Sequence, residues 1–311
     1  MAGSSLRIFK KLHVNGKTIV IREPKDPGEY RKLMDVQIEI WGMPGYVEAV
    51  TYHVMISVHR NGGIVIGAFE EDTGKPIGLV FSIPAYKNGM VYMYSHVAGV
   101  IPEYRYKGIG YEMKLIQRNI ALEKGYNLIT WTYDPMQGAN AYFNIEKLGV
   151  IVRRFYEDYY GELEDEINRG MPSDRFMAEW WIRSNRVELK LKGELKTPHV
   201  SKLLDLGGIL VNTVRFDKGI PRMIEYEKTT SSDMVLIEVP GDMSLVRKNR
   251  DILLEWRIKL RELFNYYLNE MGYIVVGLSS TIDRDIGVRR NYYVLWRRNI
   301  EKVLEGDVPW S

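Results

Sequence analysis

The sequence predicts a mixed α/β protein of two domains, and three observations predict it. The chain has 311 residues, room for about two domains at roughly 150 residues each. Hydrophobic residues make up 45% and charged residues 27%, which are globular proportions. Hydrophobic periodicity switches repeatedly between two and 3.6 residues, giving the order β, α, α, β, β, β, α, β, α, β before a polar bridge. Beyond the bridge a strand, a long helix and a strand succeed one another again. The expected domains are residues 1–184 and a smaller α/β domain of residues 185–311, read as a degenerate repeat of the first.

Each element has a local reason. Lys17 to Pro24 is a β-rich run stopped by proline, and Glu29 to Ile40 puts Leu33, Val36 and Ile40 on one helical stripe. A second helical pattern covers Val47 to Val58. Gly63 to Phe69, Pro76 to Tyr86 and Met90 to Val100 are apolar runs separated by EEDTGK and KNG, an antiparallel meander. A glycine-bearing loop then opens a helix that closes at Gly125 in a C-cap position. Asn127 to Tyr133 is a strand, Ala139 to Leu148 a short helix stopped by Gly149, and IVRRFYEDYY a strand. GELEDEINRGMPSDR is the polar bridge. From residue 185 the sequence predicts a β-rich run, then the strand MVLIEVP, a helix from Leu245 to Met271 and a strand from Tyr273 to Leu278.

Composition excludes several functions. No window of 18 residues lacks charge, which excludes a transmembrane helix, and MAGSSLRIFKK is too polar for a signal peptide. Zero cysteines exclude a disulfide framework and a thiol nucleophile. A soluble protein at a cytoplasmic address is therefore expected, with no membrane partner. The net charge of +3 falls well short of a basic stripe for nucleic acid. His13, His53, His59, His96 and His199 include no i, i+4 pair, so no metal is expected.

Arg105, Gly108 and Gly110 form R-x-x-G-x-G at a strand-to-helix junction. Glycine permits positive φ and close backbone approach, and a helix N-terminus offers unpaired N–H groups with partial positive charge, which together suit a pyrophosphate. The alternative is a tight turn without a ligand. Position raises the first reading, because the loop comes after a meander and precedes a strand and helix, WTYDP…NAYFNIEKLGV.

The segment VAGVIPEYRYKGIG, the helix after it, and the strand and helix ending in EKLGV resemble the acyl-CoA-binding core of the GCN5-related N-acetyltransferase (GNAT) superfamily. GAFE, SHVAGVIPEYRYKGIG, WTYDPMQGANAYFNIEKLGV, DYYG and MPSDRFMAEWW are similar to one prokaryotic branch, some members of which are linked to N-acylation of amino acids. The resemblance is close over residues 17–183 and continues through LIEVPGDM and EWRIKLRELF. It implies that the loop holds the CoA pyrophosphate and that splayed strands on either side receive the pantetheine. The cofactor-binding residues it implies are Val100, Arg105, Tyr106, Lys107, Gly108, Ile109, Gly110 and Asn140, while Ala98 lies on the same strand. Lys107, Lys114 and Arg118 are spaced to reach phosphates or to solvate a helix face.

One departure matters. Many relatives carry a tyrosine in the short helix that protonates the departing thiolate, and here that position is Ile145. Tyr142, one helical turn earlier, is the substitute candidate, with core packing as its alternative. His96, in the strand leading to the loop, is the candidate base, since a pKa near 6.5 suits removal of a proton from an ammonium; the alternative is a hydrogen-bonded histidine inside the sheet. Glu39 and Trp41 at a helix end are a carboxylate and an aromatic wall for an amine, or a solvated helix end. Asp134 comes directly after a strand's carboxyl end, where α/β sites gather, or forms an Asp-Pro turn. In MPSDRF, Arg175 offers a planar fork to a carboxylate; the alternative is that Asp174 and Arg175 serve ion pairing between the domains. Tyr156, Tyr159, Tyr160, Trp180 and Trp181 read as packing.

The expected activity is acyl-CoA-dependent N-acyl transfer from acetyl-CoA or succinyl-CoA to the amine of a small molecule, an amino acid foremost. His96 would deprotonate the amine, and backbone N–H groups of Val97 to Val100 would polarise the thioester carbonyl. A catalytically inactive CoA-binding or regulatory module is the alternative.

Overall fold

A computed structural model of the chain describes residues 6–163 and 170–311. Residues 1–5, and 164–169 of the expected polar bridge, lie outside the described residues. The chain divides into two compact units, 1–131 with 163–170, and 132–162 with 171–311. The boundary expected at 184/185 falls inside the second unit. There β7 (Ile151–Tyr156) pairs antiparallel with β8 (Arg175–Trp181) and also meets β13 (Ile274–Asp283) at Val152 and Val275. The strands on either side of residue 184 therefore share one sheet.

In the first unit β1 (Ile8–Val14), β2 (Lys17–Arg22), β3 (Ile64–Glu70), β4 (Pro76–Lys87) and β5 (Met90–Val100) form an antiparallel meander, and β6 (Leu128–Tyr133) joins β5 in parallel. β1 adds to the expected strands. It turns into β2 at Asn15 and Gly16, both at positive φ (53° and 75°), the pairing that two-residue hairpins favour. Helix α1 (Pro27–Trp41) is capped by Asp26, whose side chain accepts from Glu29 N. Helix α2 (Tyr52–Arg60) begins later than the periodicity predicts, and Val47 is exposed. Helix α3 (Ile109–Glu123) buries Ile109, Met113, Ile116 and Ile120. A Cβ on Gly99 would lie 2.8 Å from Ile40 of α1, whereas Val100 borders Gly110 of α3; successive strand residues point to opposite faces, so the two helices sit on opposite sides of β5.

In the second unit a helical stretch comes after β6, α4 (Gly138–Tyr142) widening into a π turn over Phe143–Lys147. After β8 come α5 (Asn185–Lys192) and α6 (Val200–Asp205), where the sequence predicts strands. Ser184 accepts from Val187 N and Gly193 closes α5 at φ 75°, start and stop signals that outweigh the alternating apolar pattern. Next are β9 (Ile209–Leu210), the hairpin of β10 (Asn212–Asp217) and β11 (Ile220–Tyr226), and β12 (Met234–Pro240). The expected helix over 245–271 is divided: α7 (Met243–Arg247), then α8 (Arg250–Phe264) with a π turn to Glu270. β13, β14 (Val288–Trp296) and α9 (Ile300–Glu305) complete the unit.

Sheet order here is β8-β7-β13-β14-β12-β9. β12 and β13 both run antiparallel to β14, which lies between them, so they are not adjacent parallel neighbours as β5 and β6 are. One face buries Ile151, Leu236, Ile274, Val276 and Val294 with Leu203 and Val303. Phe155, Phe176, Phe264 and Tyr293 make a cluster of edge-on rings.

Candidate functional site

Three features of β5 converge on its carboxyl half. The parallel ladder with β6 has two rungs, Met93 with Ile129 and Tyr94 with Thr130, although β5 runs on to Val100. Beyond Tyr94 the edge towards β6 carries no ladder. Against β4, Ser82 pairs with Ser95 and Phe81 with Val97, leaving His96 as the extra residue of a β-bulge, a device that re-aims backbone and side chain. The strand then delivers the chain through a 3-10 turn, Pro102–Tyr104, to the loop that starts α3.

At that loop Gly108 is the N-cap residue, with φ 83° and ψ −11°, and no side chain caps the helix. A Cβ on Gly108 would meet nothing within 4 Å, so the turn opens outward. Tyr106 is also left-handed, at φ 61°, and 91% exposed, and Lys107 is exposed. Ile109 is buried, anchoring the first turn. Arg105 points inward: its Nη2 donates to Ile40 O at 2.6 Å and its Nε to Val100 O at 3.2 Å. It thereby ties the loop to the end of α1, bringing Glu39, exposed, and Trp41, half-buried, to the same end of β5.

The His96 ring is reached by solvent, stands edge-on to Phe81 with centroids 6.2 Å apart and is tilted to Tyr94 at 6.1 Å. The surrounding protein lowers its pKa through desolvation, which keeps the imidazole neutral to lower pH and so available as a base. On the face of α3, Gln117 Nε2 donates to Ser82 Oγ and Ser95 Oγ, and Lys114 Nζ to Ser95 Oγ at 3.4 Å. Its spacing in the sequence predicts that Lys114 faces phosphate or solvent. It is 4% exposed instead, its amine 3.7 Å from the Trp131 ring centroid, and burial brings its pKa down to about 7. No motif announces this cluster, because its members lie on four elements.

The remaining candidates lie in the second unit. Ile145 is fully buried, whereas Tyr142 is 41% exposed, with Lys147 Nζ 5.9 Å from its ring. Asn140 Oδ1 accepts from Asn144 Nδ2. Asp134 is buried and takes both nitrogens of Arg257 at 2.8 and 2.9 Å, along with Met136 N. Desolvation alone would raise its pKa, but the Arg257 charge and hydrogen bonds outweigh that and hold it below the usual carboxylate range. Asp174 likewise pairs with Arg261, at 2.7 Å. The Arg175 guanidinium is buried, donates to Asp174 O and lies 5.7 Å from the Tyr160 ring centroid. Trp180 donates to Leu148 O and is fully buried, and Tyr156, Tyr159 and Tyr160 stack edge-on.

α8 offers no counterpart of the α3 terminus, for Asn249 accepts from Asp251 N and Ile252 N. Among the described residues no group of three or more His, Cys, Asp or Glu side chains could hold a metal, and no helix is long and apolar enough to cross a membrane.

No protein-family model matches the sequence, and no curated protein does. Among solved structures the chain is similar to an acetyltransferase of the GNAT family from Streptococcus pneumoniae, at 15% identity over 52% of this chain and 97% of that one, TM-score 0.41. It is also similar to the ribosomal-protein-S5-alanine acetyltransferase of Vibrio fischeri, at 13% identity over 57% and 97%, TM-score 0.45. A third is Arabidopsis thaliana Naa50 in complex with the bisubstrate analogue CoA-Ac-MVNAL, at 18% identity over 52% and 97%, TM-score 0.38. The chain itself carries an antiparallel meander, a two-rung parallel ladder and a helix started by a glycine.

Proposed function

We propose that the chain is an acyl-CoA-dependent N-acyltransferase of the GNAT superfamily. The observation that carries this reading is the fork: β5 leaves β6 after two rungs and runs, through a bulge, to a helix start capped by no side chain. Unladdered N–H and C=O groups on a strand edge need hydrogen-bond partners, and a pantetheine arm carries amides that supply them. Three backbone N–H groups, of Gly108, Ile109 and Gly110, begin α3 where the pyrophosphate would sit, favoured by the helix dipole.

In this reading neutral His96 takes a proton from the ammonium of the acceptor, directly or through water. The amine attacks the thioester carbonyl, whose developing negative charge is met by backbone N–H groups of Val97 to Val100. Collapse expels the CoA thiolate, a good leaving group, so protonation by solvent or a tyrosine hydroxyl suffices. The acceptor we propose is a small-molecule amine, an amino acid foremost, with acetyl-CoA or succinyl-CoA as donor. Arg175 supports the carboxylate part of that reading only weakly, because its guanidinium is already engaged within the protein.

The buried Ile145 favours a second reading, a CoA-binding module without turnover. Calorimetry with CoA, combined with thiol-release assays on amino acids, their decarboxylated amines and peptides bearing a free N-terminus, separates the readings. Binding with thiol release supports the transferase. Binding without release for every acceptor supports the module, and absence of binding rejects both.

A further inference from the structure

We propose that Lys114 is a positioning residue that pins the fork of β5 and β6, an inference that rests on the acyl-CoA reading above. Ser95 is the first residue of β5 past the last rung, and Trp131 the first of β6 past it. The Lys114 amine is at hydrogen-bond distance from the first and lies over the ring of the second. A single side chain thus spans both strands where they part. Gln117, one helical turn further along α3, bridges Ser82 and Ser95, and these two serines form the rung immediately before the His96 bulge. The four polar side chains therefore fix both the position of the bulge and the point at which the ladder stops.

The fold keeps this amine at a cost. Its pKa is brought down to about 7 by burial, and a buried amine is costly relative to an apolar side chain of similar length. If Lys114 served packing alone, methionine would do better, since it is unbranched, flexible and of similar length. An ammonium or amine here has a use that methionine lacks: it attracts a ring face and donates to a hydroxyl, two directional contacts that hold two diverging strands to one helix. A strand edge beyond its ladder is otherwise held only by what lies on its faces.

The test compares wild type with Lys114→Met and with Lys114→Gln, which keeps an N–H donor. Steady-state kinetics with acetyl-CoA, thermal melting and amide hydrogen exchange of residues 95–100 in the free protein are measured. Lys114→Met is expected to melt no lower than wild type, to raise KM for acetyl-CoA about tenfold with kcat changed by less than about threefold, and to speed exchange of those amides about tenfold. Lys114→Gln is expected to recover part of both effects. Unchanged KM and exchange in Lys114→Met overturns the proposal. So does a lowered melting point accompanied by equal losses everywhere, the mark of a merely structural residue. If wild type fails to bind CoA, the transferase reading falls, and the exchange arm alone decides whether Lys114 pins the fork.

Discussion

Gly108→Asp sets a negative charge where the CoA pyrophosphate is proposed to sit. The new Cβ meets no protein atom within 4 Å, so the perturbation is chiefly electrostatic. The left-handed φ of 83° costs an L-residue about 1 kcal/mol, less for Asp, and attraction to the α3 dipole returns about 0.5 kcal/mol. Fold stability should therefore change by less than about 1 kcal/mol. A carboxylate about 5 Å from a phosphate is repelled by about 0.8 kcal/mol in bulk water and about 3 kcal/mol at an effective dielectric of 20. At about 1.4 kcal/mol per decade that is a loss of between about fourfold and two-hundredfold in CoA affinity, with about tenfold expected for a loop that is exposed in the free protein. Calorimetry with CoA reads the loss, and a urea melt establishes that the variant is folded. Gly108→Ala carries at least as much backbone strain without the charge and should bind within about threefold of wild type. A folded Gly108→Asp protein that binds CoA as tightly as wild type refutes the assignment of this loop.

Three further outcomes are expected. His96→Gln should lower kcat by about two to three orders of magnitude; since desolvation lowers the His96 pKa, activity in wild type should fall as pH drops through a value below 6.5, and this acidic limb should vanish in the variant, its persistence pointing to Glu39 or a water chain as base. Tyr142→Phe should slow kcat by no more than about tenfold, because a thiolate leaves readily without an acid; a thousandfold loss would make the hydroxyl the essential donor. Asp134→Ala strands the buried Arg257 and should cost about 3–5 kcal/mol in a denaturant melt. Because the Asp134 pKa is depressed in the folded protein, the pair's stabilisation is present above the unfolded carboxylate value near 3.9 and is lost as pH falls through the folded value.

The meander and the loop were legible because their signals are local: apolar runs divided by turn residues, and glycines at a helix start. β1 escaped because only Val14 of its seven residues is buried, leaving an edge strand with little hydrophobic pattern. α5 was concealed for a different reason. It buries Arg186, Val187 and Lys190, so its inward face is two-thirds cationic and its apolar residues alternate as a strand's would. Lys190 is paired there with Glu146 at 2.8 Å, and Arg186 donates to Gly149 O and to Val276 O. Such partners come from distant parts of the chain, beyond the reach of periodicity. The His96 bulge depends on the register against β4, which no single strand records. Asp134 was correctly placed at a strand end but serves an ion pair with α8, 123 residues further on.

The contrast between the two helix starts has a thermodynamic consequence. α8 completes its own first turn through Asn249, so its folding is finished without help. α3 begins at a glycine that has no side chain to contribute, and its first hydrogen bonds are left for water or a visitor to make. If CoA binds at this terminus as proposed, occupancy and folding of the first unit are linked in one equilibrium. CoA at a hundred times its Kd would then add about 2.7 kcal/mol to the unfolding free energy, and the melting temperature would report on its concentration.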